Sequence, residues 1–380
     1  LSEGESAKIG VLAKSLSGDD IKAEDLTLSY ASSNPAVATV SADGTVTAVG
    51  EGEAVITVKA EKNGRKAEAS LKVSCIKEDS DKSFLLSSPD EKLQILLANG
   101  QDGLKYSVYY GGKTVLEPSP IGFKGKTVSF TKNFTFSERS AVKEINESYK
   151  KYSGSFSMGE DHCKEQSVTF ESGEYFFTVI LRAYDDGFAY RTVIERKDGT
   201  EESLVFTDEI SGFTFPSGST IWASELSAGD LQRGYSYESG FPAYLVDNTA
   251  GKYLAFASLV RVDEELYTLI NEAELFGDLY YGSLLYGVGD RTLELPPAPM
   301  AADSVTIKMD PQFTAPWRYG VVGDLETIVE NDLIENLNER TTKDFSWVRP
   351  GVTAWMWLSE GFQGQRTEST IKRYVDLAHE

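Results

Sequence analysis

Tyr175-Phe176-Phe177-Thr178-Val179-Ile180-Leu181 and Phe188-Ala189-Tyr190-Arg191-Thr192-Val193-Ile194 are β-branched and aromatic runs separated by Asp186-Gly187. They read as two strands joined by a tight turn, because Asp and Gly accept the backbone angles that turns demand. The same pattern extends outward in both directions, from about Phe84 to about Glu339. Lys105-Tyr106-Ser107-Val108-Tyr109-Tyr110 lies upstream and Tyr253-Leu254-Ala255-Phe256-Ala257 downstream, with turn signals at Gly111-Gly112, Asp198-Gly199 and Ala250-Gly251. About 255 residues of mostly antiparallel β predict one large two-sheet sandwich rather than two small ones. A helix is predicted from Leu325 to Leu337, with Ile328, Val329, Leu333 and Leu337 as its apolar stripe.

Towards the N-terminus the strands become shorter. Leu26 to Tyr30, Ala38 to Val40, Thr45 to Val49, Ala54 to Ala60 and Ala69 to Val73 alternate with turns at Asn34-Pro35, Asp43-Gly44, Gly50-Glu51-Gly52 and Asn63-Gly64. This spacing predicts a small β-sandwich over residues 1–75. Ile76 to Lys82 reads as a charged linker, and the large sandwich is expected over 83–345.

At the other end, Ser346-Trp347-Val348-Arg349-Pro350-Gly351 leads into Val352-Thr353-Ala354-Trp355-Met356-Trp357-Leu358, which reads as a buried strand. After a polar loop, Ile371, Tyr374, Val375 and Ala378 fall on one face of a helix predicted from Thr367 to Glu380. Residues 346–380 thus form one βα unit. A lone unit cannot cover a parallel strand, and no Gly, Asn or Pro closes the helix. The chain is therefore expected to be a fragment, with Leu1 as a processing boundary rather than a native start.

The 380 residues carry 59 acidic against 37 basic side chains, a formal net charge of -22. That argues against nucleic acid or anionic membrane as a partner, and suits a secreted, periplasmic or cell-surface protein, or one that binds neutral sugars or calcium, with simple solubility as the plainer reading. No apolar run approaches the roughly eighteen residues a membrane span needs. Cys75 and Cys163 are expected to be free buried thiols. With only His162 and His379, histidine catalysis and His-rich metal sites are not expected.

Ser32-Ser33-Asn34-Pro35-Ala36-Val37-Ala38-Thr39-Val40, then Asp43-Gly44-Thr45-Val46-Thr47-Ala48, resembles the bacterial immunoglobulin-like group 2 domain. Such domains are mostly spacers or weak binding modules on surface proteins. The large sandwich and βα unit resemble glycoside hydrolase family 97. The marks are Ser87-Ser88-Pro89-Asp90, Tyr184 to Arg191, Asn271-Glu272-Ala273-Glu274-Leu275, Ala315-Pro316-Trp317-Arg318, Asn336-Leu337-Asn338-Glu339 and Lys372 to Ala378. The fold so implied is mainly β: an immunoglobulin-like sandwich, a large antiparallel β-supersandwich, then the first βα unit of a truncated (β/α)8 barrel. The resemblance implies a bacterial α-glycosidase acting on terminal α-galactosides or α-glucosides, with an oligosaccharide as substrate. Tyr190 and Arg191 stand in swapped order against the family pattern, and Ala354 to Leu358 departs from the run seen in inverting glucosidases.

Glycoside hydrolysis uses two carboxyl groups about 5 to 9.5 Å apart. In a (β/α)8 barrel such groups sit on loops after several strands. The resemblance places both beyond Glu380, so no catalytic residue is assigned in this chain, and the fragment is expected to be inactive. Family members bind calcium beside the sugar, and Glu225 and Glu238 are the carboxylates near the relevant strand, Ser219 to Ala223. The resemblance also places Glu272 towards the cleft, with an ordinary surface carboxylate as the other reading. Trp355 and Trp357, two residues apart on the expected strand, either stack on sugar or fill the barrel interior. Arg318, beside Trp317, is expected to be a structural ion-pair or stacking residue. The rival reading is a non-catalytic carbohydrate-binding or adhesion protein, which leaves the barrel-entry segment unexplained. A sugar epimerase on a similar supersandwich is a third reading, disfavoured by the two isolated histidines.

Overall fold

The structure, a computed structural model, describes the chain except residues 1–3, 5, 16, 17, 19, 51, 76–80, 152–155, 228–239, 276–282, 297–304, 310, 341, 342, 346, 348–350, 352, 353 and 380. It divides into two compact units, Leu1–Glu147 with Glu160–Asn338, and Ser148–Gly159 with Glu339–Glu380.

Within the first unit, the N-terminal strands form a short antiparallel pair, Ala13–Lys14 with Asp20–Ile21, and two three-stranded antiparallel sheets. Ser6–Lys8, Thr45–Ala48 and Ala38–Val40 make one, and Thr27–Ser32, Gly52–Lys62 and Arg65–Cys75 the other. The two long strands of the second sheet turn on Asn63 and Gly64, at φ 55° and 77°. Both angles are positive, as the hairpin turn that matches strand twist requires. Alternation along Gly52–Lys62 buries Ala54, Ile56 and Val58. With Val37, Val46, Val73 and the free thiol of Cys75, Ala54 and Ile56 form a core of their own.

The large sandwich follows. Its first sheet runs from an edge strand, Ser83–Ser87, through Leu93–Gly100, Gly103–Tyr110 and Lys113–Ile121, and on to Gly212–Thr214, Thr292–Glu294, Leu285–Gly289 and Tyr253–Leu254. The second starts at edge strand Thr135–Arg139 and passes through Met158–Ser172, Tyr175–Tyr184, Gly187–Arg196, Trp317–Gly323 and Leu266–Ala273. The first hairpin read from the sequence forms as expected, but its loop is Asp185-Asp186, and Gly187 already pairs with Tyr184. Gly187 serves close packing instead, since a Cβ there would lie 2.5 Å from the Leu333 side chain. Between the sheets lies one core rich in phenylalanine. Phe123 and Phe206 stack at 4.9 Å, and Phe130 meets Phe177 at 5.7 Å.

The outer face of the second sheet has its own apolar cover. Cys163, Tyr184, Tyr319 and Val321 pack there with Leu333 and Leu337. The helix predicted over this stretch is two short ones, Leu325–Glu330 and Leu333–Leu337. Asp324 caps the first by accepting the Thr327 N–H at 2.9 Å. Asn331 ends it in an extended conformation, and its amide donates to the Ile328 carbonyl at 2.6 Å. That side chain competes with the backbone for the helical bond, and so breaks the helix. Leu333 and Leu337 are buried, as the stripe predicts, whereas Val329 is 82% exposed.

In the second unit, the expected strand over 352–358 is not what forms. Val352 and Thr353 lie outside the described residues, Ala354 to Met356 are irregular, and Trp357–Gly364 is helical with a break at Gly361, where φ is 60°. A parallel strand needs hydrogen-bond partners on its flanks. Among the described strands none pairs with this segment, and a helix satisfies its own backbone. The second predicted helix is present as Glu368–His379. No helix among the described residues is long and apolar enough to cross a membrane.

Candidate functional site

Strand Trp317–Gly323 sends alternate side chains to opposite faces of its sheet. Val322 points into the core between the sheets, and so does Arg318, which is 1% exposed. A guanidinium there would be very costly alone. It is held by two carboxylates: its Nη2 lies 2.8 Å from Glu209 Oε2, and its Nη1 pairs with Glu272 Oε2. Glu272 sits directly opposite Arg318 in the register of strand Leu266–Ala273. Glu209 arrives from the end of Glu202–Glu209, which belongs to another sheet. Nη2 also donates to Ser283 Oγ at 2.9 Å, and the Ser283 N–H reaches both Glu272 oxygens at 3.4 Å. Nearby, Tyr106 and Tyr190 meet at 4.6 Å, and the Tyr106 hydroxyl donates to the Gly212 carbonyl.

Burial pushes the Glu209 and Glu272 carboxyls above the ordinary glutamate value, and Arg318 reverses that only in part. For Arg318 burial works the other way, and the two glutamates more than offset it. The result is a closed centre. The Glu272 side chain is 8% exposed and is held by Arg318 rather than standing as an ordinary surface carboxylate. The expected structural ion-pair role of Arg318 is what the strands create.

On the outer face of the same strand, Trp317 lies beneath two guanidinium groups. Arg182 and Arg191 each place Cζ 4.8 Å from the indole centroid. Two cations over one ring repel each other, but each has its own carboxylate. Arg182 Nε donates to Glu165 at 2.7 Å, and Arg191 Nη1 to Glu274 at 2.7 Å. The row Glu165, Arg182, Trp317, Arg191, Glu274 thus joins strands that are distant in sequence. Glu274 is fixed further by its N–H, which donates to Asn338 Oδ1 at 3.0 Å. Beside the row, burial pushes the Cys163 thiol up to about 12, so it is inert as a nucleophile.

The remaining candidates do not converge on one site. Glu225 accepts from Lys252 Nζ at 2.8 Å and from the Tyr244 hydroxyl at 2.9 Å, and these partners hold its carboxyl below the ordinary range. Calcium needs six to eight oxygens, so an ammonium group in this position does not fit a calcium ligand. Among the described residues no cluster of three or more His, Cys, Asp or Glu side chains could hold a metal. Glu238 lies outside the described residues. Trp355 and Trp357 are 60% and 43% exposed, and without a strand they share no strand face. Trp357 instead meets Phe362 edge-on at 6.4 Å. Sequence reasoning missed Glu209, Glu165 and the double stacking on Trp317. One signal was available: Arg318 at a core-facing position of an otherwise apolar strand requires a buried carboxylate somewhere.

The sequence matches the family described as the glycosyl-hydrolase 97 N-terminal domain over residues 86–340, and that of the intimin immunoglobulin-like domain over 22–61. It is 30% identical over 295 residues to a probable retaining alpha-galactosidase of Streptomyces bingchenggensis, covering 77% of this chain and 43% of that protein. A retaining alpha-galactosidase of Bacteroides thetaiotaomicron is 26% identical over 339 residues, with 78% and 48% covered. The chain thus spans less than half the length of these relatives. Its fold is similar to a glycoside hydrolase family 97 enzyme from Pseudoalteromonas sp. strain K8, solved with acarbose (TM-score 0.66, 23% identity, 78% and 45% covered). A solved beta-arabinopyranosidase is comparable, at TM-score 0.65, 25% identity, and 78% and 49% covered.

Proposed function

The chain belongs to glycosyl hydrolase family 97, and from that premise we propose that it is the N-terminal portion of a bacterial α-glycosidase removing terminal α-galactosyl residues from oligosaccharides. The observation that carries this is the 30% identity, over 77% of the chain, to a protein named a probable retaining alpha-galactosidase. A terminal α-glucoside is the other substrate of this reading. In the longer protein the chain acts as a rigid support, and the carboxyl pair comes from further barrel strands. The ion pairs of Glu209 and Glu272 with buried Arg318 support such a role. Glu272 acts by positioning strand Leu266–Ala273, while the exposed indoles of Trp355 and Trp357 are free to stack on sugar. The acidic surface and the immunoglobulin-like module suit a secreted, periplasmic or cell-surface enzyme. Calcium belongs to this reading only if ligands other than Glu225 supply its oxygens, Glu238 among them.

The test is an assay of the longer protein on p-nitrophenyl α-galactoside and α-glucoside, with and without a chelator, following the released anomer by NMR. Turnover of the galactoside with the α-anomer appearing first supports the reading. A chelator-insensitive enzyme removes calcium from it. Turnover of neither substrate by a folded barrel sinks it.

A further inference from the structure

The sandwich has an open end where its two sheet edges meet, Ser83–Ser87 on one side and Thr135–Arg139 on the other. Beside them, where the turn at Gly100–Gln101 and residues Asp81–Lys82 meet Asn133–Phe136, lies an open surface groove of about 610 Å³. Asp81, Lys82, Asn99, Gln101, Asn133 and Phe136 line it. We propose that this groove binds a short neutral oligosaccharide.

The lining fits that chemistry better than an ion or an apolar ligand. Asp81 and Lys82 cancel in charge, so the groove selects for neither sign. Asn99, Gln101 and Asn133 bring three primary amides, each both donor and acceptor, as sugar hydroxyls are. Phe136 is half-buried and packs on Phe84 at 5.1 Å, which fixes an apolar patch in the groove wall. A site that remains open to water suits a ligand that keeps part of its hydration. The chain's net charge of -22 further disfavours a polyanion.

The groove is also preformed. The Asn99 N–H donates to the Lys82 carbonyl at 2.7 Å, and its side-chain amide to the Phe134 carbonyl at 2.9 Å. One residue thus joins both walls. Gly103, at φ 100°, lets the hairpin tip approach the Thr131 carbonyl, which would lie 2.1 Å from a Cβ. Walls already fixed lose little entropy when a ligand docks.

The choice of a sugar among neutral polar ligands rests on the glycosidase reading, and the two are tested on different material. Binding is measured on this chain, by calorimetry and by amide chemical shifts, with raffinose and with maltotriose at millimolar concentration. Hydrolysis is measured on the longer protein. Saturable binding of either trisaccharide is expected, with shifts at the Gln101 and Asn133 side-chain amides. The double variant Gln101→Ala, Asn133→Gly should weaken binding by about tenfold at unchanged melting temperature. Glycine retains the left-handed backbone found at Asn133, where φ is 63°. If the double variant melts early, Gln101→Ala alone, on an exposed turn, carries the test. Absence of binding by both trisaccharides, or binding indifferent to these changes, overturns the proposal even if the longer protein proves to be a glycosidase.

Discussion

Arg318 holds two carboxylates on one guanidinium, and burial makes that one cation necessary to both of them. Arg318→Met would leave Glu209 and Glu272 facing each other with no cation, at a cost of about 3–5 kcal/mol in urea unfolding. Arg318→Lys should recover only part of this, because an ammonium lacks the planar fork that reaches both partners. Asp186 makes a separate prediction. Burial raises its carboxyl to about 6, and Asp185 and Asp332 add to the effect. Since the folded value lies above the unfolded one, the stability tied to protonated Asp186 is complete at low pH. It is lost as pH rises through about 6. Asp186→Asn should therefore match the parent chain near pH 4 and exceed its stability by about 2 kcal/mol near pH 7.5. Equal stability of the two chains at both pH values would refute this.

Elements are decided by neighbours as much as by sequence. The run Tyr175 to Leu181 was legible because its alternation meets an apolar core on one face, and no distant residue is needed to read it. The stripe at 325–337 was half legible. Leu333 and Leu337 pack on the outer face, but Asn331 breaks the helix and releases Val329 into solvent. Leu333→Ala should cost about 2–5 kcal/mol. Val329→Ala should change stability by less than about 0.5 kcal/mol. Equal losses at the two positions would show that the single-helix reading was right. The barrel-entry segment was illegible for a different reason: a parallel strand is defined by partners that lie elsewhere in sequence. The site followed the same rule. Arg318 and Glu272 were visible in their own strands, while Glu209 and Glu165 carry no local mark that pairs them with an arginine.

At the scale of the whole molecule, the immunoglobulin-like module and the large sandwich have separate apolar clusters. Calorimetry should accordingly resolve two transitions. Ile56→Ala, which opens a cavity in the small core, should lower one by several degrees and leave the other in place. A single transition that moves as a whole would show the modules to be one cooperative block. The Glu209, Arg318 and Glu272 centre has a further consequence, for inheritance. Because loss of Arg318 strands two carboxylates, whereas loss of either glutamate still leaves an ion pair, a lineage cannot give up the arginine before its partners. Substitutions there should be epistatic, tolerated in sets and harmful alone. A deep mutational scan should find 318 the least tolerant singly, 209 and 272 less so, and all three partly rescued by apolar triples that fill the same space. Independent tolerance at the three positions would mean that the buried charges are dispensable.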